Sequence, residues 1–484
     1  MSLVGNIPEL RQLIFSMAEK GDLAACAQVC TTWTKDALDI VWRELPSPLP
    51  IIRLVDEGSL SPTMTWQQGV PRATISPPVD WTRFRSFTIR IRKIHFPNSA
   101  LVYALQKLTL VKALCPDLPL LPNLEETEVH ASSDITWVPL VAMFLHSGVR
   151  RLVIHPSDGP SFFTYPNFFR EVLLRAPSLE SLEIKESSLL TFGRDWRPED
   201  PVILAQYASQ FPTLIRFAAP AVVLARLQNT PISLPKLRVL IETNALRPKV
   251  FIDHFRTHWP TPIARIRHLA ISVTLTCASQ LIAANPMSSL RILYLETFMS
   301  QPEQSHMQEF FRTLGNQCPG LEELTLMWLG LSWITTSTDN GEMDISVFEP
   351  LVDCTSLAVL DISAACALIF DEDGAERLAI ILSNLRICRL TFIPFYGPIA
   401  EAHTLPSLAA LLPFAFNCLR LEELSLVIDP TVPDTRDDLL GFSPVFRKLS
   451  IGHYVGGQGW ASSAVAGFLA AVSSMEESGR DYRW

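Results

Sequence analysis

The sequence predicts an α/β protein in which a small three-helix head precedes a right-handed solenoid of parallel strands and helices. Three observations predict it. The first is an N-terminal run of short apolar stripes at helical spacing, from Ile7 to Leu45. The second is a strand-like phrase of three aliphatic positions that recurs from about Leu124 onward. The third is length: 484 residues exceed one ordinary globular core, so two domains or a repeat array are expected.

The head comes first. Pro8 suits the first turn of a helix, and Leu10, Leu13, Ile14 and Met17 follow at the i, i+3, i+4, i+7 spacing of one buried stripe. Gly21 is expected to end this helix and Asp22 to cap the next, whose stripe is Leu23, Cys26, Ala27 and Cys30. Leu38, Val41, Trp42 and Leu45 give the third helix the same spacing, while Phe15 and Trp33 fall off the stripes. A unit of about 40 residues buries too little surface to be comfortable alone, so it needs either a partner or the body behind it.

A connector is expected next. Residues 46–80 are rich in Pro, Ser and Thr, with one short helix near 51–56, and would space the head from the body. "RFRSFTIRIRKI" then restarts regular structure.

The body repeats itself. "NLEETEV", "GVRRLVI", "SLESLEI", "RIRHLAI", "SLRILYL", "GLEELTL", "SLAVLDI", "RLEELSL" and "FRKLSI" share one phrase, and "TLIRFAA", "KLRVLIE" and "NLRICRL" follow it loosely. Its aliphatic residues stand first, fourth and sixth, which suits a short strand burying alternate side chains. Copies about 23 to 36 residues apart signal units that bury their apolar faces only against their neighbours. Helix-like stretches such as "HMQEFFRTLGNQCP" and "ERLAIILS" lie between the strands and supply the crossovers that parallel pairing requires. Strand and helix alternation alone also fits an ordinary doubly wound α/β domain; the fixed phrase favours repeats. Beyond the array, Ala464, Val465, Phe468, Leu469 and Val472 are expected to form a terminal capping helix.

Two resemblances follow from these residues. Ile7-Pro8-Glu9-Leu10, Ile14-Phe15-Ser16, Asp22-Leu23, Val29-Cys30 with Trp33, and Leu38 with Trp42 stand in the order of the F-box landmarks, and the stretch resembles that module; it departs from the family at Ala18 and Gln28, where larger or more apolar residues are usual. The recurring phrase resembles leucine-rich repeats, without the Asn that usually follows the strand. Together they resemble the F-box proteins with divergent leucine-rich repeats of mushroom-forming fungi. The resemblance implies an F-box over 1–47, a connector and start of the array over 48–99, a horseshoe-shaped array over 100–455 with strands concave and helices convex, and a cap with tail over 456–484. It also implies docking to the Skp adaptor of a cullin-RING ubiquitin ligase, with Pro8, Leu10, Phe15, Leu23 and Trp33 as adaptor-contact candidates and Leu13, Ile14, Cys26 and Val41 as internal core.

A solenoid commonly binds along its strand-lined face. The solvent-side positions Glu125, Arg151, Glu183, Arg238, His268, Tyr294, Glu323, Thr325 and Glu423 are therefore the candidates for contact with a protein substrate. A repeat scaffold acting outside any ligase is the alternative.

Composition and the remaining motifs exclude other classes. A net charge of −9 with dispersed Lys and Arg argues against nucleic acid and anionic membranes as partners. Nine cysteines, an odd number lying largely in apolar stretches, suit reduced thiols in the cytoplasm or nucleus, and neither a leader nor a membrane span is expected at Met1–Asn6 or around Leu408–Leu419. His254 and His258 stand four apart but lack a nearby third ligand, "DEDGAE" at 371–376 suits an acidic helix start, and "GGQG" at 456–459 lacks the rest of a phosphate loop. No Gly-x-Ser-x-Gly elbow occurs. No catalytic, metal or cofactor site is expected, and the body's task would be to hold a substrate near the ligase.

Overall fold

Alternation of aliphatic and polar residues is what builds the body. In "GLEELTL", Leu321, Leu324 and Leu326 are fully buried while the residues between them reach solvent, and the same holds for Leu290, Leu293 and Leu295 and for Leu421, Leu424 and Leu426. Burying each such side chain contributes about 2 kcal/mol, and no repeat can do so without the next one beside it.

The computed structural model describes residues 8–56, 63–67, 70–74, 81–97, 108–109, 111–112, 119–130, 137–155, 166–185, 200–220, 223–224, 234–243, 265–297, 303–328, 342–364, 366–392, 406, 408–428, 443 and 445–452. The expected capping helix, His254 and His258, and Gly456–Gly459 lie outside these residues. Two compact units divide the chain: Met1–Val223 with Ser233–Lys236, and Leu224–Ile232 with Leu237–Trp484.

The first unit opens with the helices α1 (Pro8–Met17), α2 (Lys20–Cys26) and α3 (Thr31–Val41). The expected boundary between α1 and α2 moves: Ala18 N–H donates to the Phe15 carbonyl, Glu19 precedes α2, and Gly21 and Asp22 lie inside it. Strand β1 (Glu44–Leu45) follows α3 directly, then α4 (Leu49–Asp56), an antiparallel hairpin of β2 (Thr63–Gln67) and β3 (Val70–Thr74), α5 (Trp81–Thr88), β4 (Lys93–Phe96), β5 (Glu126–His130), β6 (Arg151–His155), β7 (Ser181–Ile184) and β8 (Arg216–Ala219). Strands β1, β4, β5, β6, β7 and β8 are neighbours in that order, all parallel.

This order corrects the expectation of a spaced head. Residue 44 already belongs to the sheet, Arg92 and Lys93 N–H both donate to the Arg43 carbonyl (2.8 and 2.9 Å), and Trp42 packs on Phe87 with ring centroids 4.6 Å apart. The head is thus tied to the first strands by backbone bonds and an aromatic contact, and the Pro-rich segment, which carries α4 and the β2–β3 hairpin, comes in the chain between β1 and β4.

The second unit carries β9 (Val239–Glu242), β10 (His268–Ser272), β11 (Ile292–Thr297), β12 (Glu323–Trp328), a small parallel pair of β13 (Glu342–Asp344) and β15 (Ala367–Ile369), β14 (Val359–Ala364), β16 (Ile387–Phe392), β17 (Glu423–Val427) and β18 (Lys448–Gly452). Strands β9, β10, β11, β12, β14, β16, β17 and β18 are successive parallel neighbours. Connections such as the helices Leu275–Ala284, Gln304–Gln317 and Glu372–Ile381 cross from strand to strand, giving the topology of an α/β solenoid. Phe311, Phe348 and Phe392 join helix, 3-10 turn and β16 through ring contacts of 5.9 and 6.3 Å. Asp371 caps its helix by accepting from Gly374 N–H at 2.8 Å, the helix start that "DEDGAE" suggests.

The strand starts share one backbone pattern. In each unit one carbonyl per repeat accepts two N–H groups from the next. Arg92 accepts from Glu125 and Glu126, Glu125 from Arg150 and Arg151, and Arg150 from Glu180 and Ser181; in the second unit Arg267 accepts from Arg291 and Ile292, and Glu322 from Ala358 and Val359. A backbone carbonyl with two lone pairs satisfies both donors whatever its side chain, so the position tolerates Arg, Glu and Ala alike.

Candidate functional site

Three surfaces are candidates: one on the head and one on the strand face of each unit. The head's interior is Phe15, Leu23 and Ala37, with Ala18, Cys26, Ala27, Trp33, Ile40 and Val41 packed around them. Phe15 meets Trp33 edge-on, and Arg11, nearly buried, is ion-paired with Asp36. Arg11, Phe15 and Ala18 share one helical face, so these two contacts turn that face inward.

The opposite face of α1 is consequently bare. Leu13, Ile14 and Met17 are 58%, 54% and 82% exposed, with Leu10 beside them at 39%. This reverses the expectation that Leu10, Leu13, Ile14 and Met17 form a buried stripe with Leu13 and Ile14 in the core: the spacing is real, but the stripe faces solvent. Periodicity gives the direction of an apolar face relative to its helix and leaves open what covers it. Of the adaptor-contact candidates, Leu10 lies on the bare stripe, whereas Phe15, Leu23 and half-buried Trp33 belong to the interior; Pro8 begins α1. Ala18 sits against the interior, and Gln28 is exposed.

The strand face of the first unit is a lattice of charge. In register across β1, β4, β5 and β6 stand Glu44, Lys93, Glu126 and Arg151. Their signs alternate, with Lys93 3.4 Å from Glu44 and 3.2 Å from Glu126, and Arg151 3.3 Å from Glu126 and 3.2 Å from Glu183. Lys185 and Arg216 approach Glu183 at 3.8 and 4.0 Å. Opposite charges on directly facing strand positions stabilise the pairing.

A second row on this face carries imidazoles. His95 Nδ1 lies 3.0 Å from Glu128 Oε2 and its Nε2 2.9 Å from Glu44 Oε1, while His155 Nε2 lies 2.8 Å from Glu128 Oε1. His130, in register with His155, stacks on it with centroids 4.1 Å apart and planes 9° apart. Burial pushes the His155 and His130 imidazoles below their ordinary values; the neighbouring His130 and Lys185 lower His155 further, and Glu128 opposes the shift in both. Burial acts to raise the Glu128 carboxyl, but the hydrogen bond from His155 and the nearby positive charges outweigh it and leave it below the usual carboxylate range.

In the second unit, Arg389 bridges Asp361 (2.9 Å) and Glu423 (2.8 Å), and Lys448 also pairs with Glu423. The Arg389 bond, then Lys448, hold the Glu423 carboxyl below its ordinary value. Tyr294 Oη donates to Met327 Sδ at 2.9 Å. Ser272 Oγ donates to Glu296 Oε2 at 3.3 Å, yet burial raises the Glu296 carboxyl to about 7.

The substrate-contact candidates distribute unevenly over these surfaces. Arg151 and Glu183 touch, whereas Glu125 stands just before β5 beside Arg92 at 3.5 Å. His268, Tyr294, Glu323 and Thr325 occupy outward positions on β10, β11 and β12, with Tyr294 directly opposite Thr325; Glu423 belongs to the Arg389 network, and Arg238 lies just before β9, its carbonyl accepting from Arg267 and His268. Glu183 is 8% exposed, because three cations crowd it. His95, Glu128, His130 and His155 were not singled out from sequence. Their signal was the alternation in "ETEVH", repeated one strand later by "RLVIH".

The chain matches no protein-family model and no curated protein sequence. Among the described residues, no helix is long and apolar enough to cross a membrane.

Proposed function

We propose that the chain is a non-catalytic substrate receptor of a cullin-RING ubiquitin ligase, acting in the cytoplasm or nucleus, whose F-box-like head docks on a Skp-type adaptor and whose strand faces hold a protein substrate. The observation that carries this reading is the bare stripe of Leu10, Leu13, Ile14 and Met17 on a head with a very small interior. An apolar helical face left open beside a tightly closed one is the form a helix takes when a second protein completes its packing. The resemblance of the head residues to F-box landmarks supplies the chemistry of that partner.

The strand faces supply the second contact. Their ion pairs orient the charged side chains, so a substrate with complementary charge meets a partly preorganised surface. Holding substrate and adaptor on one chain raises the effective concentration of substrate lysines at the ligase, and the transfer chemistry belongs to the conjugating enzyme.

Co-purification with the Skp adaptor tests the reading. Leu13→Asp and Met17→Asp change exposed residues, leave the interior intact, and are expected to abolish capture of the adaptor while leaving the circular dichroism unchanged. Undiminished capture by both variants, or no capture by the wild type, overturns the reading and leaves a scaffold acting outside a ligase.

A further inference from the structure

We propose that Glu128, His130 and His155 form a binding site for a divalent transition-metal ion, zinc in particular, on the strand face of the first unit. This goes beyond the receptor reading and does not depend on it.

Geometry carries the proposal. One ligand atom from each of the three residues lies within 4.8 Å of the others, and none of the three is fully buried or fully exposed. Glu128 and His130 stand two apart on β5, so both point from the same face, and parallel register sets His155 of β6 directly beside His130. Three ligands on two hydrogen-bonded strands cannot drift apart as loop residues would. Glu128 Oε1 and His155 Nε2 are 2.8 Å apart in a hydrogen bond, and opening that contact to about 3.3 Å gives the spacing of two ligand atoms at the tetrahedral angle on one ion at about 2.0–2.1 Å. To bind, His155 turns its proton to the other ring nitrogen, and the ion takes the place of the shared hydrogen.

The donor set selects the ion. Two imidazoles and one carboxylate suit zinc and its neighbours better than magnesium or calcium, which prefer oxygen alone. Three protein ligands leave a fourth, solvent-facing position for water or for a group from a bound protein. His95 serves as a positioning residue: spanning Glu128 and Glu44 through its two nitrogens, it fixes the second carboxylate oxygen, the kind of outer contact that orients a metal ligand. Lys185, 3.8 Å from Glu183, is a nearby cation that opposes an incoming ion. Without an ion, the two imidazoles stack face to face and His155 alone bonds the carboxylate; binding tilts the rings out of that stack so that a nitrogen of each converges on the ion.

The test uses the full chain, dialysed against a chelator and titrated calorimetrically with zinc chloride, with cobalt(II) as a spectroscopic probe of low-coordinate nitrogen and oxygen ligation. One ion per chain is expected, with a visible cobalt band. His130→Gln, His155→Gln and Glu128→Gln should each weaken binding at least about tenfold, and His95→Gln by about tenfold or more. His306→Gln, an exposed histidine of the second unit, should change nothing. Zinc should also raise the melting temperature of the wild type and of His306→Gln, but not of the ligand variants. Should one ligand variant fail to fold, the other two carry the measurement. The absence of saturable binding to the wild type, or stoichiometric binding that survives all three ligand changes, overturns the proposal.

Discussion

Phe15 and Trp33 meet edge to face, ring centroids 5.6 Å apart and planes at 78°, and their contact decides which side of the first helix is available to another protein. With Phe15 2% exposed and Arg11 held by Asp36, α1 has only one orientation on α3, and Leu13, Ile14 and Met17 are left outside. The same aromatic pair thus makes the interior and leaves the apolar stripe exposed.

Phe15→Ala is therefore expected to unfold the head rather than to blunt its surface. Truncating a buried Phe costs about 3–5 kcal/mol, more than an interior of this size can lose. Limited proteolysis should cut Phe15→Ala within residues 8–42, where Leu13→Asp stays resistant. Equal resistance of the two variants would show that Phe15 does not hold the interior.

Stability of the second unit should fall as pH rises from about 5 to 7. Burial places the Glu296 carboxyl at about 7, above its ordinary value, so between those values the folded chain holds a proton that the unfolded chain has released. Bound protons in excess in the folded state make stability decline with pH. Glu242, which accepts from Ser272 N–H at 2.6 Å, and Tyr294 are its titratable neighbours on β9 and β11. Glu296→Gln should raise the melting temperature at pH 8 and flatten its dependence between pH 5 and 8, and an unchanged slope would refute the assignment.

Arg389 binds the strand face of the second unit on both sides. Arg389→Met removes the partner of Asp361 and one of two partners of Glu423, and should cost about 1 kcal/mol in urea denaturation at pH 7, given a guanidinium still partly in water. Glu423 has a lowered pKa, so its contribution is complete above the ordinary carboxylate range and is lost as pH falls through the lowered value. The difference between wild type and variant should accordingly shrink below pH 4.

Cysteine reactivity should separate into two groups. Burial raises the thiols of Cys318, Cys366 and Cys418 to about 12 and that of Cys354 to about 11, and Cys388 is driven higher still. At pH 8 these five hold almost no thiolate and are out of reach of reagent. Iodoacetamide on the native protein followed by mass spectrometry should leave them unmodified while labelling the half-buried Cys26, Cys30 and Cys277, and all five should react after denaturation.

Much of the fold was legible because each repeat states its own burial. Leu321, Leu324 and Leu326 declare a strand by their spacing, and the helix-like stretches between phrases require parallel crossovers, so the parallel α/β character of the body was legible locally. The junction at Arg43 and Glu44 was not legible, since it rests on backbone bonds to Arg92 and Lys93 that leave no mark in residue type. The Pro-rich stretch after it suggested a spacer because composition reports what a segment cannot do and says nothing of what precedes it.

By itself the sequence determined the order of elements and which side chains share a face: alternation and helical spacing are local properties, fixed by the geometry of one strand or one helix. Only the tertiary structure decided which face is covered. It turned the Leu10, Leu13, Ile14 and Met17 stripe outward because Phe15 and Arg11 found better partners across the head. It also set His130 and Glu128 beside His155, because parallel register aligns positions one repeat apart, and that alignment depends on every intervening turn rather than on any residue in the cluster.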